Sequence, residues 1–293
     1  MKKFILIILL FSCVSIIFAQ EDIWQLPDTY TIMIYNLCHF SKNFNKHKYI
    51  INGVGADVVA LQEMKKTSRF KDLKRETGMD GEFCIFPKPF WFEIITGGFV
   101  PNYGIVLLWK TSRVGAPTIT KRIVDTPNDD NDFHKKAYMI AEFSDLCIIC
   151  THYSLNRNDN QTITNQILSE NIVQRCKNTG KPVYIAGDFN GSLYATKIFT
   201  DSSNNFTVLN KTDKYPNTNI FVDATKKDGS MIDLIFEYNT NPNHQTLERG
   251  IPSSFSDNWL GEVKKDIFKQ PYLYPKNDGV SDHRPYFVKV KIK

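Results

Sequence analysis

Pro182-Val183-Tyr184-Ile185-Ala186-Gly187-Asp188-Phe189-Asn190 is an apolar run that stops on a glycine, an aspartate and an asparagine. The run reads as a buried strand, with the polar residues held at its end. A second such cluster lies near the C-terminus, where Ser281-Asp282-His283-Arg284-Pro285 precedes Tyr286-Phe287-Val288-Lys289-Val290. Carboxylate, amide and imidazole groups gathered at strand ends suit a site that holds a divalent metal and cleaves a phosphate ester.

Outward from these clusters, further apolar runs predict strands at Tyr30–Tyr35, Asp57–Leu61, Tyr103–Trp109, Asp145–Cys150, Met231–Phe236 and Tyr286–Ile292. Most lack a strict polar alternation, which implies sheets covered on both faces. Between them, Ile163, Ile167, Leu168, Ile172 and Cys176 form one stripe that predicts a helix over Thr162–Lys177, stopped by Gly180 and Pro182. Ser41–Ile51 and Thr67–Thr77 read as two more helices. Alternating strands and helices give an α/β class, and without an internal repeat or a linker residues 21–293 read as one domain. Glu237–Asp278, rich in Asn, Pro, Ser and Lys, reads as a long loop. Its aromatics (Phe255, Trp259, Phe268, Tyr272, Tyr274) suit either substrate recognition or a packed surface excursion. Asn128–Asp132 lacks the spaced glycine and terminal glutamate of an EF-hand and reads as a solvated turn.

Residues 1–20 carry the layout of a secretory signal peptide: Lys2 and Lys3, the apolar Phe4–Phe11, then Ala19-Gln20 before Glu21-Asp22. The expectation is a secreted or periplasmic protein, with a lipoprotein anchored at Cys13 as the weaker alternative. The composition, 42% apolar and 23% charged, is that of an ordinary soluble globule. Removing Lys2 and Lys3 lowers the formal charge from +5 to +3, a mild excess that suits an anionic substrate without identifying nucleic acid. Cys38, Cys84, Cys147, Cys150 and Cys176 are too sparse for a disulfide framework, though an exported protein has room for one or two bridges among them. Cys147 and Cys150 look like a redox C-x-x-C, but residues three apart on a strand face opposite ways, so both read as core thiols.

Polar residues recur at the strand ends: Asn36 after Ile34-Tyr35, Gln62-Glu63 after Ala60-Leu61, His152 after Cys150-Thr151, and Asp233 within Met231–Phe236. Such groups can converge on one ligand at the mouth of a sheet. Taken in order, "YN", "LQE", "YGIVLL", "TH", "GDFN", "IDLIF" and "SDHRP" resemble the endonuclease/exonuclease/phosphatase superfamily, the deoxyribonuclease I-like fold. The resemblance spans Ile34 to His283 and implies a four-layer α/β sandwich, two packed and mostly antiparallel β-sheets flanked by helices. It also implies a metal-dependent phosphohydrolase using Mg2+, with Mn2+ or Ca2+ as possible substitutes.

Carried over residue by residue, the resemblance makes Glu63 a metal ligand, and Asp282 a member of the metal or water network. His283 is paired with Asp233, Asp188 handles the nucleophile, and Asn190 and Asn36 contact phosphate or metal. His152 is the second histidine, and Lys136 a phosphate-contacting base with Lys135 as its competitor. Whether His283 or Asp188 activates the water stays open. Independently of any family, an aspartate inside Ile232-Asp233-Leu234-Ile235 asks for a partner if it is buried. Asp188 and Asn190, two apart, face the same way if the segment is extended. The segment before Tyr103 and the ending Leu107-Leu108-Trp109-Lys110 depart from the deoxyribonuclease I pattern. The expectation is therefore a monomeric phosphodiesterase with nuclease activity on DNA or RNA and no stable protein partner. A sphingomyelinase or phospholipase C-like esterase acting on phospholipid is the alternative, and a non-catalytic binding protein of the same fold the second.

Overall fold

The computed structural model describes residues 28–37, 44–65, 68–87, 103–124, 135–190, 197–211, 231–242, 244–252, 263–265, 271–273 and 283–292. The N-terminal segment, Cys38, the acidic turn at 128–132, Asp282 and the aromatics Phe255, Trp259, Phe268 and Tyr274 lie outside these residues. The strands are β1 (Thr29–Asn36), β2 (Val58–Lys65), β3 (Asp80–Ile85), β4 (Tyr103–Trp109), β5 (Thr118–Ile123), β6 (Ala137–Glu142) and β7 (Cys147–His152). They continue as β8 (Val183–Asp188), β9 (Thr207–Val208), β10 (Asp233–Tyr238), β11 (Gln245–Gly250), β12 (Val263–Lys265), β13 (Pro271–Leu273) and β14 (Tyr286–Lys291). The helices are α1 (Phe44–Val54), α2 (Ser68–Thr77), α3 (Thr111–Val114), α4 (Arg157–Ser169) and α5 (Asn171–Asn178).

Two six-stranded sheets, ordered β11-β14-β1-β2-β4-β3 and β5-β6-β7-β8-β10-β9, stack face to face. All their pairings are antiparallel except β1 with β2 and β7 with β8. Because successive side chains alternate faces, each central strand feeds two cores. Ile32 and Ile34 of β1, Ala60 of β2, Ile148 and Cys150 of β7 and Ala186 of β8 fill the space between the sheets. Met33, Tyr35, Val59 and Leu61 pack outward against Ile50 and Ile51 of α1 and Leu73 of α2. On the other side Cys147, Ile149, Val183 and Ile185 pack against Ile163 and Ile167 of α4 and Val173 and Cys176 of α5. The result is the four-layer α/β sandwich, with the central strands apolar on both faces for that reason.

The structure corrects several boundaries. The predicted helix Thr162–Lys177 is two helices, broken at Glu170, whose backbone is extended (φ −61, ψ 129). The break lets the Glu170 carboxylate accept from Tyr138 Oη at 2.7 Å and Arg122 Nε at 2.8 Å, tying the helix layer to β6 and β5. Glu237–Asp278 is not wholly a loop, because Gln245–Gly250 pairs with β14 at the sheet edge. Strand β10 starts at Asp233 rather than Met231, so that Asp233 is its first residue.

Within the second sheet, β7 and β8 leave little room at Gly187. A Cβ added at Gly187 would lie 2.3 Å from the Thr151 carbonyl oxygen. Gly187→Ala is expected to lower stability by about 2–3 kcal/mol through strand separation, read as a shift in urea midpoint at unchanged slope.

Candidate active site

Strand direction gathers the chemistry at one rim. Parallel strands end together, so Asn36 closes β1 opposite Gln62 of β2, and His152 closes β7 opposite Asp188 of β8. Antiparallel strands start where their neighbours end, so Asp233 opens β10 directly opposite Asp188. By the same rule β14, antiparallel to β1, brings His283 to this rim. Asn36, His152, Asp188 and Asp233 share the inward parity of Ile34, Cys150, Ala186 and Ile235 in the inter-sheet core.

Glu63 breaks that parity. Strict alternation would turn it outward with Leu61 and aim Gln62 at the site. Instead, the β2–β4 register shifts between Leu61 and Met64, and Glu63 sits at φ 57. This left-handed backbone, strained for a side-chain-bearing residue, brings the carboxylate to the rim. There Oε1 accepts from Asn36 Nδ2 at 3.1 Å and lies 3.9 Å from His152 Nε2. Gln62 is left in the core, with Nε2 3.8 Å from Cys150 Sγ.

Asp188 is the centre of the cluster. Its Oδ2 accepts from Asn36 Nδ2 at 2.9 Å and lies 3.7 Å from His152 Nε2 and 3.8 Å from His283 Nε2. Oδ1 accepts from the backbone N–H of Asn190 at 2.8 Å. Burial pushes the Asp188 carboxyl up to about 7 and the facing Asp233 carboxylate adds to the rise, while His283 and the bonds from Asn190 and Asn36 oppose it. His283 Nδ1 meets Asp233 Oδ2 at 2.8 Å, so the buried aspartate has the partner its position demanded. Two sets of groups, Glu63 with His152 and Asp188, and Asp188 with Asp233 and His283, each place three ligand atoms within 4.8 Å of one another. The oxygen donors Glu63, Asp188 and the Asn36 side-chain carbonyl fit a hard divalent cation.

Asn190 behaves differently from the sequence expectation. The segment is not extended there: Asn190 sits at φ 48 and its Nδ2 donates to the Tyr153 carbonyl at 2.7 Å. It therefore braces β8 against the residue following His152. Lys136 is buried at 3% exposure, with Nζ 5.5 Å from the centre of the Phe86 ring, whereas Lys135 is partly exposed. The Phe86 ring in turn lies 5.9 Å from the His152 ring, so Lys136 belongs to this rim. Asp282 lies outside the described residues.

Other supports carried no readable signal. Asn210, buried in an Asn-rich stretch, donates to the Asp233 carbonyl at 3.0 Å and accepts from Ile235 N–H at 2.8 Å. It substitutes for a strand neighbour beside Asp233. Phe86 and Arg284 are also buried near the cluster, and only Arg284 fell within a recognised motif. A separate cavity of about 460 Å3, lined by Val54, Arg249, Ile251, Phe287 and Lys289 among others, shares no lining residue with this cluster.

Comparison with known proteins follows the same line. The profile of the endonuclease/exonuclease/phosphatase family matches residues 33–283. The chain belongs to this family. Its fold is shared with the endonuclease/exonuclease/phosphatase from Bacteroides vulgatus at 16% identity and a TM-score of 0.62, covering 90% of this chain and 99% of that one. The human Nocturnin catalytic domain, solved with a bound sulfate anion, aligns at 16% identity and 0.63, covering 92% and 96%. ANGEL2, described as a 2',3'-cyclic phosphatase, aligns at 15% and 0.62, covering 89% and 95%. A search of curated protein sequences returned no match.

Two measurements test this geometry. Asp188 titrates near 7 when folded and near ~3.9 when unfolded, so below about pH 4 it is neutral in both states and costs nothing. As pH rises through that window the unfolded chain releases its proton first and stability falls, the full penalty being present above about 7. Asp188→Asn is thus expected, in chelator, to be more stable than wild type at pH 8 by on the order of 4 kcal/mol, the gap closing as pH falls to about 3. Asn210→Ala, which strands the Ile235 N–H and the Asp233 carbonyl, should lower stability by about 2–3 kcal/mol, measured by calorimetry.

Proposed function

We propose that this chain is an exported, divalent-metal-dependent phosphodiesterase with nuclease activity. The observation that carries the reading is the placement of one buried carboxylate, Asp188, between two imidazoles, one of them oriented by a second buried aspartate. Support for export comes from the basic and then apolar start of the sequence, and support for nucleic acid from the mild positive charge and the family's named activities.

A phosphodiester resists hydrolysis because it is anionic and its leaving oxygen is poor. A divalent cation at Glu63, with Asn36 and Asp282 completing the oxygen donors, would neutralise charge on the phosphoryl and leaving oxygens. The protein's own groups do the rest. The Asn36 amide holds Glu63 and Asp188 in place, and the Lys136 ammonium and the His152 imidazole present donors to non-bridging oxygens, which fixes the phosphorus over Asp188. Asp233 accepts from His283 Nδ1–H, which leaves Nε2 aimed at Asp188 and stabilises positive charge on the ring. Asp188 and His283 share the task of removing the proton from the attacking water. A carboxyl near neutrality takes that proton with less energetic mismatch than one at the ordinary carboxylate value.

The test is nicking of supercoiled plasmid with Mg2+ and with EDTA. Metal-dependent nicking is expected in wild type, with a loss of about 10³-fold or more in His283→Ala and in Glu63→Gln. An inert wild type on plasmid and RNA, with turnover of sphingomyelin or phospholipid vesicles, would replace the nuclease reading by the lipid one. No metal-dependent turnover of any of these would leave a binding protein.

A further inference from the structure

Cys147 was read from the sequence beside Cys150, but the fold separates them: Cys150 lies between the sheets and Cys147 faces the helix layer. The neighbour of Cys147 is Cys176. Both are fully buried, at 0% exposure. One short segment pins the two backbones: Lys181 N–H donates to the Cys176 carbonyl at 2.9 Å, and Cys147 N–H donates to the Pro182 carbonyl at 2.9 Å. Both sit in one buried cluster, and Cys147 is the register partner of Glu142 on β6. Beside them is Glu142, whose Oε1 lies 3.8 Å from Cys176 Sγ and 3.1 Å from Lys181 Nζ, and which also pairs with Arg175.

We infer that Cys147 and Cys176 are a disulfide-forming pair that locks α5 onto the start of β7 when the chain meets a thiol–disulfide oxidant. Once α5 is detached both thiols reach solvent and either can open the exchange, Cys176 being the one on the detached element. The Cys176 thiolate displaces one thiolate from a small-molecule disulfide such as oxidised glutathione, forming a mixed disulfide. Cys147, on losing its proton, then attacks the Cys176 sulfur and expels the second glutathione thiolate. Two cysteine thiols are oxidised, one glutathione disulfide is reduced to two thiols, and both protons pass to those thiols. Because neither sulfur is exposed in the packed protein, exchange takes place before α5 docks or while it is detached.

The bond would close the segment 147–176, which carries His152 at the end of β7 and the loop that follows it. Ser154 N–H donates to Asn160 Oδ1 and Asn160 Nδ2 donates to the Ser154 carbonyl, each at 2.8 Å, so that loop is already braced from α4. A cross-link at the far end of β7 would restrain the whole unit in the unfolded chain, where disulfides act most.

The test takes the purified protein, both as secreted through an oxidising compartment and after refolding from denaturant in a glutathione redox buffer. Remaining thiols are blocked with N-ethylmaleimide in denaturant and the peptides mapped by mass. The expected result is a Cys147–Cys176 linked peptide, with Cys84 and Cys150 blocked. Dithiothreitol should remove the linked peptide and lower Tm by roughly 5–10 °C. Cys176→Ala should lose that response to reductant. Should the variant not fold, the reductant response and peptide map of wild type decide alone. Complete blocking of both cysteines in both preparations, or linkage of Cys147 to any other cysteine, would overturn the proposal. No readout depends on hydrolysis, so failure here is separable from failure of the nuclease reading.

Discussion

Two aspartates, Asp188 and Asp233, stand directly opposite each other on neighbouring strands, both buried. Like charges at that separation in a low-dielectric interior repel strongly, and much of the surrounding structure compensates for it. His283 takes one carboxylate through Nδ1 and turns Nε2 toward the other. Asn36 and the Asn190 backbone each donate to Asp188. The residual imbalance keeps Asp188 poised near neutrality. A site built for stability alone would have apolar residues here. This rim instead retains charge that only a cation, a proton or an anionic substrate with its counter-charge can settle.

Most of the buried strands were legible and the exposed edges were not, with the buried β6 (Ala137–Glu142) missed as well. The central strands β1, β2, β4, β7, β8 and β10 are mostly apolar runs because helices or the opposing sheet cover both faces, whereas β14 alternates buried Tyr286, Val288 and Val290 with half-buried Phe287, Lys289 and Lys291. Among the described residues, the edges of the two large sheets, β3, β5, β9 and β11, have one rim unpaired and carry charged or turn-forming residues. Gln245–Gly250 is exposed for most of its length, and no hydrophobic pattern marks it. The helix break at Glu170 escaped for another reason: the apolar stripe continues through it, and the cause is a tertiary bond to Tyr138.

For the site, residue types at strand ends carried the reading, since strand direction converts sequence position into spatial position. Alternation failed at Glu63, where a register shift and a left-handed backbone override it, and at Asn190, where the strand has ended. Asn210 and Phe86 could not be found in this way. Their roles depend on which backbone groups and rings the fold brings beside them, and neither residue type nor spacing announces that.

The last strand has a double duty. β14 lies between β11 and β1 in its sheet, and the residue that leads into it supplies an imidazole of the cluster. Thr29 and Lys291 are register partners although they lie far apart in sequence. Until β14 has docked, a chain therefore lacks both the seam that joins β11 to β1 and one of the imidazoles at the rim. Closing the sheet and completing the cluster are one event.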